Sequence, residues 1–212
     1  MFLLIIALLC CWGADLFFKY HHKDRRCTKP FLIPLIMAVY ISACLRFHIP
    51  IRGIELAALG LGWVGDIFLM REDDHAFLVG LIAFLAGHVM YFVLFIMLHV
   101  PAISASSLVA VLFYLGYATY FYHSLRGNMD VRWHRPVIFY IVIISMMSLC
   151  ACLLYGDVSL QAWLCLWLGS VLFVLSDSLV AWEKFVEPDI HGVMETYVAA
   201  QILIMIGVLL IG

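Results

Sequence analysis

Charge is what this sequence has little of. Acidic and basic residues together fill 12% of its 212 positions, about half the share found in an ordinary soluble domain. A formal net charge of −2 leaves no basic surface for nucleic acid, so that class of partner is excluded. Hydrolase signatures are also missing. The chain has no GxSxG for a serine nucleophile, no HExxH or HxxxH for a metal, and its nine histidines fall mostly in loops. The seven cysteines (Cys10, Cys11, Cys27, Cys44, Cys150, Cys152 and Cys165) include no CxxC, and all but Cys27 lie in apolar runs. They read as small buried apolar side chains, not as disulfides or metal ligands. Nothing here calls for a cofactor or a metal. The apolar start, MFLLIIALLCCWGADLFF, lacks a basic leader and a small-x-small cleavage site, so it reads as a retained first helix.

What the chain does have is apolar length. Hydrophobic residues make up 66% of it, in runs of the roughly 20 residues needed to cross a bilayer. Eight such runs are expected, at 2–18, 31–47, 54–70, 76–98, 101–122, 136–155, 160–182 and 193–211. They are continuous, not alternating, which favours helices over a barrel. The reading is an all-α polytopic membrane protein, a single transmembrane domain over 1–212. Ten of the twelve Lys and Arg residues fall on one side. They are Lys19, Lys23, Arg25, Arg26 and Lys29 after the first run, then Arg71, Arg126, Arg132, Arg135 and Lys184. The positive-inside rule makes that side cytoplasmic and both termini non-cytoplasmic. Lys29-Pro30 opens the second run and Arg135-Pro136 the sixth, while single aspartates, Asp66 and Asp177, mark the third and seventh. Matching features four helices apart suggest a 4+4 parallel internal repeat.

Polar side chains gather toward the inner leaflet in this topology. Asp66, in GLGWVGDIFLM, and Asp177, in GSVLFVLSDSLVA, are expected near the cytoplasmic ends of their helices at matching depth. Tyr140 falls one turn into the sixth run, Glu195, Tyr197 and Gln201 in the first turns of the eighth, and Lys29 at the start of the second. His88 and Tyr91 share a face with Gly80, Phe84 and Gly87; Gly169, Phe173, Ser176, Asp177 and Val180 form a second stripe. Small residues beside the acids invite close helix contact. A membrane aspartate is costly and normally faces a bundle interior or cavity, so Asp66 and Asp177 are the leading functional candidates. Each of the others has a plainer reading. His88 can bridge two helices, Tyr140 and Tyr197 can belong to an interfacial belt, Gln201 can bind helix to helix, and Lys29 can be a topology signal. Asp15 and the Arg71-Glu72-Asp73-Asp74 loop are expected to be solvated.

Two carboxyls close together in apolar surroundings share a proton, giving an acid and a base in one water-accessible hollow. Intramembrane peptide hydrolysis, cleavage of acetals or enol ethers, and proton-coupled transport all use such a pair. The residues alone leave these open. The motif set resembles a known family, the lysoplasmalogenases, or YhhN-like and transmembrane-protein-86-like group. It is carried by TKPFLIPL (28–35), GDIFLM (65–70), FLVGLIAFLAGHVMY (77–91), RPVIFY (135–140), GSVLFVLSDSLVAWEKF (169–185) and YVAAQILI (197–204). The resemblance implies an eight-helix hydrolase that cleaves the vinyl ether of lysoplasmalogens, with a lysophospholipid substrate and membrane lipids as partners. Asp66 and Asp177 would be the catalytic pair, and His88, Tyr140, Tyr197 and Gln201 would orient water or the glycerol hydroxyl. Lys29 would meet the phosphate, and Trp63 or Trp182 a cationic headgroup. Short loops suit a bacterial inner membrane, or the endoplasmic reticulum in a eukaryote. Among the rivals, GLGWVGD only half matches the GxGD of intramembrane aspartyl proteases. A proton-coupled transporter suits a parallel repeat with membrane carboxylates, though no broken helix is evident in the sequence. A scaffold would tolerate loss of both acids. The oligomeric state is not readable from the sequence.

Overall fold

The computed structural model describes residues 1–21, 23–71, 73–98, 105–188 and 190–212. Among them the chain forms eight α-helices: α1 (Phe2–Tyr20), α2 (Lys29–Phe47), α3 (Gly53–Leu69), α4 (Asp74–Leu98), α5 (Ala105–Leu125), α6 (Val131–Leu153), α7 (Leu160–Phe185) and α8 (Val193–Leu209). The helices α1, α2, α4, α5, α6 and α7 are long and apolar enough to cross a membrane. At 17 residues each, α3 and α8 span about 25 Å, the short end of the range that crosses a bilayer. The expected start of the fifth helix at 101, and Glu72 of the acidic loop, lie outside the described residues.

Apolar side chains point outward as well as inward. Leu3 and Leu9 on α1, and Leu108, Val109, Leu112 and Phe113 on α5, are all exposed. Acyl chains, not water, are the solvent such stripes require. The thiols follow the same pattern. All seven cysteines are free, but only Cys44 is buried, and Cys10 and Cys27 are exposed; the expectation of small buried side chains holds for Cys44 alone.

The chain divides into two compact units, residues 1–91 with 208–212, and residues 92–207. In the first, the turn between α1 and α2 folds back on α1. Asp15 is completely buried there, against the expectation of a solvated residue. Arg25 Nε donates to Asp15 Oδ1 at 3.1 Å, Arg25 Nη2 pairs with Asp15 Oδ2, and Thr28 Oγ1 donates to Oδ1 at 2.8 Å. A residue at the end of an apolar run is not solvated when the basic loop that follows closes over it.

In the second unit, α6 starts five residues before its apolar run and α7 continues three residues beyond its own. The two extensions meet, with the Trp133 and Phe185 rings packed at 5.9 Å between centroids. Consequently Arg135-Pro136 lies inside α6 and not at its opening, whereas Pro30 does sit in the first turn of α2, where a missing N–H costs nothing.

Glycine sets the distance between α7 and α8. A β-carbon on Gly169 would stand 3.0 Å from the Ile204 nitrogen and 3.1 Å from the Ala200 carbonyl oxygen. Backbone atoms cannot give way as a side chain can. Gly169→Ala is therefore expected to lower stability by about 1–3 kcal/mol. Gly60→Ala, where nothing lies within 4 Å of the added carbon, should be near neutral. Thermal unfolding in detergent micelles compares them, and equal melting temperatures would contradict this packing.

Candidate functional site

Asp66 and Asp177 fall in different units, and each has its own set of neighbours. Asp66 lies three residues before the end of α3 and is 2% exposed. It belongs to the buried face of that helix, with Glu55, Ala58, Leu59, Gly62 and Gly65. Facing it is α4. The Phe84 ring fills the space a Gly65 side chain would need, at 2.6 Å from such a β-carbon, and Gly80 leaves room for Leu69 and the Gly65 carbonyl. The small residues thus do bring α4 against the Asp66 turn.

The charge of Asp66 is answered from α2. Lys29, the first residue of that helix, places Nζ 3.5 Å from Asp66 Oδ1, with both side chains largely buried. A second contact fixes the same geometry: the Trp63 indole N–H donates to the Pro30 carbonyl at 2.8 Å. Trp63 keeps about a third of its surface exposed, leaving ring area for a ligand. His88 is buried on α4. Its neighbour Gly87 packs against Ala58 and Gly62, so His88 lies a turn or more along the seam from Asp66.

Asp177 lies eight residues before the end of α7, deeper into its helix than Asp66 is into α3. The matching depth expected from the apolar runs does not hold when counted from these helix ends. Tyr140, the tenth residue of α6, donates its phenol hydrogen to Asp177 Oδ2. Beside it, Ser178 Oγ donates to the Val174 carbonyl at 2.6 Å. That uses its only hydrogen, so the Tyr117 hydroxyl, 2.7 Å away, must donate to Ser178. Tyr117 is also close enough to feel the Asp177 charge. It was not among the residues singled out from the sequence; the spacing of Tyr114, Tyr117 and Phe121 along one face of α5 is the signal that marks it.

The α7–α8 seam has a clear register. Ser176 Oγ donates to the Val193 carbonyl at 3.1 Å, the Phe173 and Tyr197 rings meet edge to face at 5.5 Å, and Gly169 faces Ala200 and Ile204. Tyr197 therefore sits about one turn from Asp177, and it also lies near Tyr140. Gln201, fully buried, is about two turns away, level with Gly169. Tyr140 is thus in direct contact with its acid, Tyr197 is adjacent, and His88 and Gln201 lie farther along the two seams. The side chain of Trp182 is half-buried, one turn beyond Asp177.

The arrangement has chemical capacity: a carboxylate held opposite an ammonium in one unit, and a carboxyl held by a phenol in the other. The YhhN family model matches residues 24–208. A pig (Sus scrofa) protein, Lysoplasmalogenase TMEM86B, is 30% identical over 152 residues, which cover 68% of this chain and 58% of that protein. The match thus spans less than two thirds of the relative's length. No solved structure matches.

The Lys29–Asp66 pair can be tested by itself. Lys29→Met takes the ammonium away from a buried carboxylate and is expected to cost about 3–5 kcal/mol of stability. The double variant Lys29→Met/Asp66→Asn removes that carboxylate charge as well and should recover most of that loss. Melting of the two in detergent checks this; a double variant as unstable as the single would mean that the pair is not what Lys29 contributes.

Proposed function

The chain belongs to the YhhN family, and on that premise we propose that it hydrolyses the vinyl ether bond of lysoplasmalogens. The substrates are lysoplasmenylcholine or lysoplasmenylethanolamine, and the products a fatty aldehyde and glycerophosphocholine or glycerophosphoethanolamine. The similarity to a lysoplasmalogenase supports the substrate class. The single observation that carries the mechanism is the buried Asp66 held opposite Lys29.

An enol ether is hydrolysed by protonating its outer vinyl carbon. The positive charge that forms is shared with the ether oxygen as an oxocarbenium ion. Water adds to this ion, and the resulting hemiacetal collapses to aldehyde and alcohol. The step with the high barrier is the first, which needs a proton donor and an anion close to the nascent cation. Asp66, 3.5 Å from the Lys29 ammonium, is assigned the anion, and it takes the proton of the attacking water. Asp177, oriented by Tyr140, is assigned the acid. The substrate phosphate competes with Asp66 for Lys29, and drawing the ammonium away exposes the Asp66 carboxylate to the cation. Trp63 receives a cationic headgroup over its ring. His88, Tyr197 and Gln201 orient water and the glycerol hydroxyl. The same reading takes all eight helices across the membrane as a parallel four-plus-four repeat with both termini non-cytoplasmic.

Purified protein supplied with lysoplasmenylethanolamine should release aldehyde. Asp66→Asn and Asp177→Asn should each lower that rate by about 100-fold or more, and Tyr140→Phe by roughly tenfold, with folding retained. No aldehyde from the wild type, together with proton-linked solute uptake in proteoliposomes, would replace this reading with a proton-coupled transporter that uses the same aspartates. Full activity in both asparagine variants would remove the pair from the chemistry.

A further inference from the structure

Glu55 has no part in that chemistry. It lies in the first turn of α3, is completely closed off, and both its carboxyl oxygens lack a hydrogen-bond partner among the described residues. About 16 Å of helix rise, three turns, separates it from Asp66. Its surroundings follow from the α3–α4 register. Gly80 stands against Gly65 and Leu69, Phe84 against Gly65, and Gly87 against Ala58 and Gly62. One more turn of α4 brings Tyr91 level with Glu55. From α2 comes Tyr40. Both phenols are buried and both are near enough to feel a charge on Glu55. Toward this end of the three helices also lie Cys44, whose thiol interacts with the Tyr40 phenol, His88 one turn before Tyr91 on α4, and Arg52 just before α3. Arg52 donates its backbone N–H to Tyr40 Oη at 3.0 Å.

An ionised carboxylate sealed in this place would make no hydrogen bond and no ion pair with any of the described residues, and burying such an ion is strongly unfavourable. Whatever neutralises it must fit where three helices already close on each other. A proton meets that requirement because it occupies almost no volume.

We propose that Glu55 is a proton-binding site: it is the neutral acid while α2, α3 and α4 are closed around it, and loss of the proton opens this joint. The ionised group is solvated only if the helices part, so closure and proton binding are linked, each favouring the other. The site is independent of the hydrolase assignment and lies at the opposite end of α3 from Asp66.

The chain supplies its own reporter, since Cys44 is 1% exposed beside Tyr40. The whole protein in detergent micelles is alkylated with N-ethylmaleimide across a range of pH. Conversion at Cys44 is read by peptide mass spectrometry for wild type and Glu55→Gln. The amide stays neutral, so the variant stays closed, and dividing the two rates cancels the thiol's own titration. The ratio should climb with pH, by up to roughly tenfold per unit, as the ionised fraction of Glu55 does; a flat ratio overturns the proposal. Should Glu55→Gln not fold, infrared spectra of protein carrying 13C-carboxyl glutamate decide. A neutral-acid carbonyl band at neutral pH, retained in Glu195→Gln, is expected, and carboxylate bands alone overturn the proposal.

Discussion

A carboxylate buried among apolar helices finds no water to solvate it, so it must be paired, given donors or kept neutral. Four acids in this chain meet that demand in four ways. Asp15 is enclosed by Arg25 and Thr28, Asp66 faces Lys29, Asp177 accepts the Tyr140 phenol, and Glu55 has no hydrogen-bond partner among the described residues. Much of the first unit follows from the first two. Arg25, Thr28 and Lys29 lie within five residues, so one short turn supplies the counter-groups for acids on both α1 and α3. The stretch rich in positive charge is therefore a structural joint: two of its five cations are turned inward.

The second unit solves the same problem with hydroxyls. Ser170 gives its hydrogen to the Trp167 carbonyl at 2.7 Å. Ser148 must then donate to Ser170 at 2.9 Å, and Tyr114 to Ser148 at 2.6 Å. Tyr117, Ser178 and Val174 form a parallel chain. Each ends on a carbonyl of α7, so α5 and α6 are tied to the helix that carries Asp177 without any buried ion. Such ties satisfy polar groups where lipid offers no alternative, and they hold the carboxyl in a defined place, which an acid needs if it is to deliver a proton to one atom.

Legibility varied with the kind of interaction. The helices were readable because lipid selects long apolar runs, and the starts of α1, α2, α3, α4, α7 and α8 fall within two residues of those runs or coincide with them. Ends were less readable. Composition marks where apolar residues stop, whereas α6 and α7 run on into amphipathic turns joined by Trp133 and Phe185. Asp66, Asp177, Lys29 and Tyr140 stood out because polar groups are rare in such a chain. Tyr117 and Glu55 did not. The first is one of ten tyrosines, and the second lies beside a loop, where an acid normally finds water.

Apolar run length, the asymmetry of basic residues and the scarcity of membrane carboxylates depend on each residue's own transfer energy, and by themselves they determined an all-helical membrane protein with two aspartates worth attention. Which cation answers which acid was decided only in three dimensions. Asp15 is buried because a loop folds over it, Lys29 reaches Asp66 because α2 starts beside the end of α3, and Glu55 is sealed because α2 and α4 close on it. Pairing is a property of neighbours distant in the chain, and no count of local hydrophobicity contains it.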